Sequence, residues 1–271
     1  MSTTRDRPAL MTHLVAYYPS RELSLAVARA MLAGGAAMLE VQFPFSDPSA
    51  DGKLIQTACS EALAAGFRVD GGFALVQELC RESPVPVLIM SYANLVVRRG
   101  VAHFVDRAKQ AGAAGLIIPD LMPGYDEGLF DAAAEAGIDV VPVVAPSVGE
   151  ARLAEIAKRR PAWLYAALRV GITGRYTELG SENRRFLERL EPIGSRLIAG
   201  FGIRTREQVE SLSGLADAVV VGSALVQVIQ EAAEVVAAAA SPDRLSEAVR
   251  AKVAELSAVA LGPEGRLKSK E

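Results

Sequence analysis

Short, largely apolar runs alternate with segments of helical spacing along nearly the whole chain. The runs at residues 11–17, 38–41, 85–90, 115–118, 140–144, 163–167, 196–199 and 218–221 have the length of strands. The run 85–90 is apolar throughout, as a parallel strand covered on both faces should be. Helices are predicted at 23–32, 56–65, 71–80, 101–110, 127–135, 150–158, 182–190, 206–212 and 242–256. Ser20 and Thr205 stand where helix caps belong, and Gly34-Gly35 and Gly112 where helices stop. Strand and helix in turn imply a parallel sheet with right-handed crossovers. Eight such units close into an α/β (β/α)₈ TIM barrel. An open doubly wound sheet is the alternative. The barrel is preferred because the candidate functional residues follow the ends of many different strands. No linker interrupts the pattern, so residues 1–271 are expected to form one domain, with its core at 9–257 and a charged tail at 262–271.

Composition narrows the chemistry. A chain of 271 residues, 51% apolar, suits a single barrel, for which about 250 residues is typical. The net charge is −3 and no basic stripe is present, so nucleic acid is not an expected partner. Cys59 and Cys80 make neither a disulfide framework nor a zinc site and point to a reducing compartment. The first eight residues lack the apolar segment of a signal peptide, and the alanine-rich stretch 232–240 is too short to cross a bilayer. A cytoplasmic protein without a membrane anchor is expected. The two histidines, His13 and His103, lie in unlike contexts, so neither a metal site nor a histidine-based triad is expected.

The most informative stretch is 39–52, Leu-Glu-Val-Gln-Phe-Pro-Phe-Ser-Asp-Pro-Ser-Ala-Asp-Gly. Glu40 ends the second strand among Leu39, Val41 and Phe43. Loss of solvation there should raise its pKa and let it carry a proton near neutral pH. Asp51, beside Gly52 in a polar loop, should stay ionised. Two carboxyls in unlike surroundings can run acid and base chemistry together. A surface glutamate and a turn aspartate are the plainer alternative.

Three glycine-bearing turns follow the last three strands: Gly171-Ile172-Thr173-Gly174, Gly200-Phe201-Gly202 and Gly222-Ser223. Barrels commonly hold phosphate with loops in these positions, where backbone N–H groups and a helix N-terminus meet the oxygens. Each glycine alone could simply make a turn; their joint position argues for a phosphate site. Tyr165 could point into the barrel mouth or pack in the core. The segment 169–180 has the length, glycine content and charge of a lid, against the alternative of an ordinary surface loop.

With these residues in hand, the sequence resembles the tryptophan synthase alpha subunit family over about residues 9–257. The carriers are Pro-Phe-Ser-Asp-Pro at 44–48, Ala-Asp-Gly at 50–52, Ile55-Gln56, Met90-Ser91-Tyr92-Ala93-Asn94, Gly100, Phe104, Ile118-Pro119-Asp120-Leu121 and the three glycine turns. The resemblance implies a reversible retro-aldol cleavage of indole-3-glycerol phosphate to indole and glyceraldehyde 3-phosphate. It implies no cofactor and no metal in this chain. Pyridoxal phosphate would sit only on a partner beta subunit, which takes the indole through a tunnel in an α₂β₂ assembly. By the same resemblance Glu40 is the general acid/base, Asp51 accepts the indole N–H, and Tyr165 lines the indole pocket. Gly174, Gly202, Gly222 and Ser223 would hold the phosphate.

Four places depart from the family pattern. Tyr17-Tyr18-Pro19 replaces Gly-Asp-Pro, Lys53 replaces a proline, Leu168 stands where a serine is common, and Met122 takes a proline position. None removes a catalytic or phosphate residue; several are expected on the face turned to partner and substrate. Three other readings remain open: a stand-alone lyase that releases indole, a subunit that binds phosphate or partner without chemistry, and another phosphate-handling barrel such as an isomerase of histidine synthesis. Intact Glu40 and Asp51 argue against the second, and the 44–48 loop against the third.

Overall fold

The structure is a computed structural model that describes residues 7–171, 173, 179–239 and 242–257. Gly174, half of the expected lid and the tail 262–271 therefore lie outside the described residues. The strands are β1 (Ala9–Val15), β2 (Met38–Gln42), β3 (Val87–Met90), β4 (Gly115–Ile117), β5 (Asp139–Val140), β6 (Val143–Val144), β7 (Trp163–Ala167), β8 (Arg196–Gly200) and β9 (Ala218–Val221). Every pairing is parallel, in the order β5-β4-β3-β2-β1-β9-β8-β7-β6. The first and last strands are thus neighbours.

The two ends of that order, β5 and β6, are pieces of one segment broken at Pro142. One continuous strand at 140–144 was expected. Proline has no N–H for the ladder, yet its carbonyl still accepts from Tyr165 N at 2.9 Å, and Val141 N donates to Leu116 O at 2.8 Å. The segment therefore joins both neighbours, and the sheet closes as a barrel of eight strand positions. The first strand also differs from its expected bounds. Tyr17 has a φ of 70° and Tyr18 N donates to Val15 O, so a turn ends β1 at Val15.

Side-chain parity explains the two packed layers. Alternate strand residues point to opposite faces. Met11, Met38, Leu88, Met90, Tyr165, Ile198 and Val220 pack together inside the barrel. Leu39, Val41, Ile89, Leu116, Leu164 and Val219 pack outward under the helices. Burying a leucine, isoleucine or valine in this way contributes roughly 1.5–3 kcal/mol. Ser20 caps the helix Arg21–Ala33 by accepting from Leu23 N, and Thr205 caps Arg206–Ser211 by accepting from Gln208 N, as expected. Among the described residues no helix is long and apolar enough to cross a membrane.

Candidate active site

The same parity decides what surrounds Glu40. Leu39, Val41 and Phe43 belong to the outer layer, so Glu40 and Gln42 turn inward with Met38. The apolar surroundings expected for Glu40 are corrected accordingly: its neighbour is polar. β1 and β2 pair with His13 opposite Glu40, and His13 Nδ1 lies 2.7 Å from Glu40 Oε2. Both side chains are buried, with His13 only 4% exposed. Burial disfavours the imidazolium, but the hydrogen bond and charge of Glu40, the charge of Asp51 and a weaker polar contact with Gln42 outweigh it. His13 therefore titrates above the usual histidine value. Composition alone had set this histidine aside.

Asp51, expected in a polar loop, is buried, at 3% exposure. Its carboxylate accepts from Gln42 Nε2 at 2.7 Å and from Tyr92 Oη at 2.8 Å. Burial pushes its pKa above the ordinary aspartate value, opposed by the charge of His13 and by those two hydrogen bonds. Tyr92 Oη also accepts from Ala50 N at 3.2 Å and so pins the loop that carries Asp51. Asp51 N in turn donates to Pro48 O at 3.0 Å. Sequence reading placed Tyr92 in a motif without giving it this work, and missed Gln42 altogether.

The loop after β7 docks on the same place. Gly52 N donates to Thr173 Oγ1 at 2.7 Å and Thr173 N to Ala50 O at 3.3 Å. A Cβ on Gly52 would lie 2.1 Å from the Thr173 carbonyl oxygen, so the contact requires glycine. Tyr165 is buried inside the barrel, where desolvation and the charges of Glu40 and Asp51 hold its phenol well above the usual value and hence protonated. Its ring meets Phe201 edge-on, with centroids 6.2 Å apart. A Cβ on Gly200 would lie 2.3 Å from Tyr165 Oη, so glycine at the end of β8 makes room for the ring.

One strand beyond β1, at the end of β9, Gly222 precedes the helix Ser223–Ala239. N–H groups in the first turn of a helix have no intrahelical acceptor and suit an anion. Phe201 and Gly202 have φ of 78° and 82°, a left-handed turn. Gln208, buried, accepts from Arg204 N and Thr205 N and donates to Gly202 O, which holds that turn against the helix behind it. Glu40, Asp51, Tyr165, Gly202, Gly222 and Ser223 all line one pocket, together with His13 and Arg204. Its empty space is about 670 Å³, counting the open mouth and the solvent in it. Arg204 is a cation at the pocket that sequence reading overlooked.

The family model described as "Tryptophan synthase alpha chain" matches residues 1–256. The chain belongs to this family. A tryptophan synthase alpha chain of Helicobacter hepaticus is 39% identical over 236 residues, covering 84% of this chain and 88% of that one. One from Carboxydothermus hydrogenoformans is 36% identical over 257 residues, covering 94% and 95%. Among solved structures, a Mycobacterium tuberculosis tryptophan synthase superposes with a TM-score of 0.82 at 32% identity, covering 97% of this chain and 94% of that one. A tryptophan synthase complex from Pyrococcus furiosus gives 0.82 at 32% identity, covering 93% and 99%.

Within the tryptophan synthase alpha family the four departures now have places. Tyr17 and Tyr18 are core residues: Tyr17 packs edge-on against Phe67 with centroids 5.3 Å apart and donates its backbone N–H to Ser24 Oγ. Leu168 is likewise buried in the outer layer. Lys53 is exposed at the start of the helix Lys53–Ala64, outside the pocket lining. Met122 is exposed in the loop after β4.

Proposed function

We propose that the chain carries out its family's lyase reaction, cleavage of indole-3-glycerol phosphate in tryptophan biosynthesis, with Glu40, Asp51 and Tyr165 around the indole and Gly202, Gly222 and Ser223 around the phosphate. The observation that carries these assignments is that all six line one pocket, which brings the carboxylates and the helix N-terminus to the same place. Gly174 completes the phosphate set on the strength of the sequence motif. Glu40 gives a proton to the ring carbon that bears the glycerol chain. The positive charge spreads to the ring nitrogen, whose N–H faces Asp51. The Glu40 carboxylate left behind then takes the proton of the adjacent hydroxyl, whose oxygen forms the aldehyde carbonyl as the carbon–carbon bond breaks, and that bond's electron pair restores neutral indole. Every step is proton movement or charge stabilisation by side chains, and no cofactor enters in this chain.

The phosphate is held chiefly by backbone N–H groups. We expect Gly222→Asp, which sets a carboxylate at the helix N-terminus, to raise KM by at least tenfold, whereas Lys53→Ala, outside the pocket, changes KM by less than twofold. A steady-state comparison of the two variants checks this. The opposite ranking removes the backbone cradle.

The partner is a tryptophan synthase beta subunit in an α₂β₂ assembly, and the complex is cytoplasmic. Loops at the strand C-termini expose Asp47, Met122, Tyr125 and Val170 around the pocket mouth, a surface of the kind a partner covers. Pressure on Asp47 reaches the site through Pro48, whose carbonyl is bonded to Asp51 N. The test is purified chain plus indole-3-glycerol phosphate, with and without beta subunit, with indole measured. Indole forms slowly with the chain alone and faster with the partner, and Pro48→Ala blunts the gain more than the basal rate. A high rate that no beta subunit alters favours the stand-alone lyase; no indole under either condition removes the reading.

A further inference from the structure

We propose that His13 is a further substrate-contacting residue of this site, its Nδ1 orienting Glu40 and its Nε2 hydrogen-bonding a hydroxyl of the glycerol chain. The inference rests on the reading above and adds a residue to it. Three observations carry it. The first is the 2.7 Å contact between His13 Nδ1 and Glu40 Oε2, which fixes one carboxylate oxygen and leaves the other for substrate. The second is that His13 Nε2 is buried and has no hydrogen-bond partner, although His13 lines the pocket. A buried nitrogen left unpaired is costly, and a ligand that reaches it removes the cost.

The third is position. In the sheet, β1 lies between β2 and β9. His13 is thereby bracketed by Glu40 on one side and Gly222 on the other. The imidazole lies open to Gly222, where an added Cβ would meet its Cβ, Cγ and Cδ2 at 3.4, 3.5 and 3.6 Å. A substrate with its reacting carbon at Glu40 and its phosphate at Gly222 and Ser223 must carry the intervening hydroxylated chain past His13. An apolar side chain at position 13 would satisfy packing there; an imidazole with a free nitrogen matches a hydroxyl.

Two variants separate the two nitrogens. His13→Asn keeps an amide nitrogen near the Nδ1 position and loses Nε2; His13→Phe fills the space and loses both. Binding is measured in a Glu40→Gln background for indole-3-glycerol phosphate and for 3-(indol-3-yl)propyl phosphate, which has ring and phosphate but no hydroxyls. His13→Asn should weaken the hydroxylated ligand about 3- to 10-fold, the size of one hydrogen bond, and leave the propyl phosphate within twofold. With Glu40 present, His13→Phe should in addition lower kcat at least tenfold, because Glu40 loses its anchor. Equal effects on both ligands, or none on either, overturn the Nε2 contact. An unchanged kcat in His13→Phe overturns the positioning of Glu40. The wild-type chain, assayed in parallel, keeps the failures apart. Wild type that neither binds nor cleaves indole-3-glycerol phosphate brings down the functional reading and this inference with it, whereas active wild type with indifferent variants brings down only the inference.

Discussion

Glu40→Gln leaves the chain folded and lowers kcat for indole-3-glycerol phosphate cleavage by about 10²–10⁴-fold, the usual worth of a positioned acid/base. Glutamine has the same shape, and its carbonyl oxygen can still accept from His13 Nδ1, so the inward contact between β1 and β2 survives. What disappears is the proton. KM should move little, because the phosphate and the indole N–H are contacted by other residues. The check is steady-state kinetics beside far-UV circular dichroism. Turnover near wild type would take Glu40 out of the chemistry, whatever its burial.

Asp51→Asn should cost roughly 10²–10³-fold in kcat, as when one preorganised group facing transition-state charge is removed. The structure sharpens the reason. Asp51 accepts from two fixed donors, Gln42 Nε2 and Tyr92 Oη, and both bonds use the same oxygen, Oδ2. That leaves Oδ1 for the substrate. An asparagine keeps its carbonyl oxygen toward those donors and so presents its NH₂ to the indole N–H, a donor against a donor, with no charge to balance the ring cation. The loss should fall on kcat and on indole affinity together, while the phosphate contacts persist. A normal rate would reduce Asp51 to a residue that ties its loop to Tyr92. Ligand-free thermal melting separates the two roles, since a purely structural Asp51 would lower Tm without a kinetic defect of this size.

The fold class was legible in the sequence because it is a matter of period. Eight apolar runs separated by helical spacing leave few alternatives to a closed parallel sheet, and caps such as Ser20 and Thr205 act through residues three or fewer positions away. That Glu40, Asp51, Tyr165, Gly202, Gly222 and Ser223 would meet at one pocket was legible because each stands on a strand or in the segment that follows it, where barrels place chemistry. Their environments were not. Leu39 and Val41 are Glu40's neighbours in sequence but face the helices, and the residue it meets comes from 27 positions away. Asp51 reads as a loop residue, yet Tyr92, 41 residues on, buries it and holds it. Tyr17 reads as the last residue of the first strand, yet a positive φ there turns the chain after Val15, and Tyr17 and Tyr18 are both buried. Local pattern records which way a residue can point and what turn can follow it. Which group stands opposite depends on strand register and barrel closure, set by the summed packing of distant segments, and that is why the His13–Glu40 pair exists only in the folded chain.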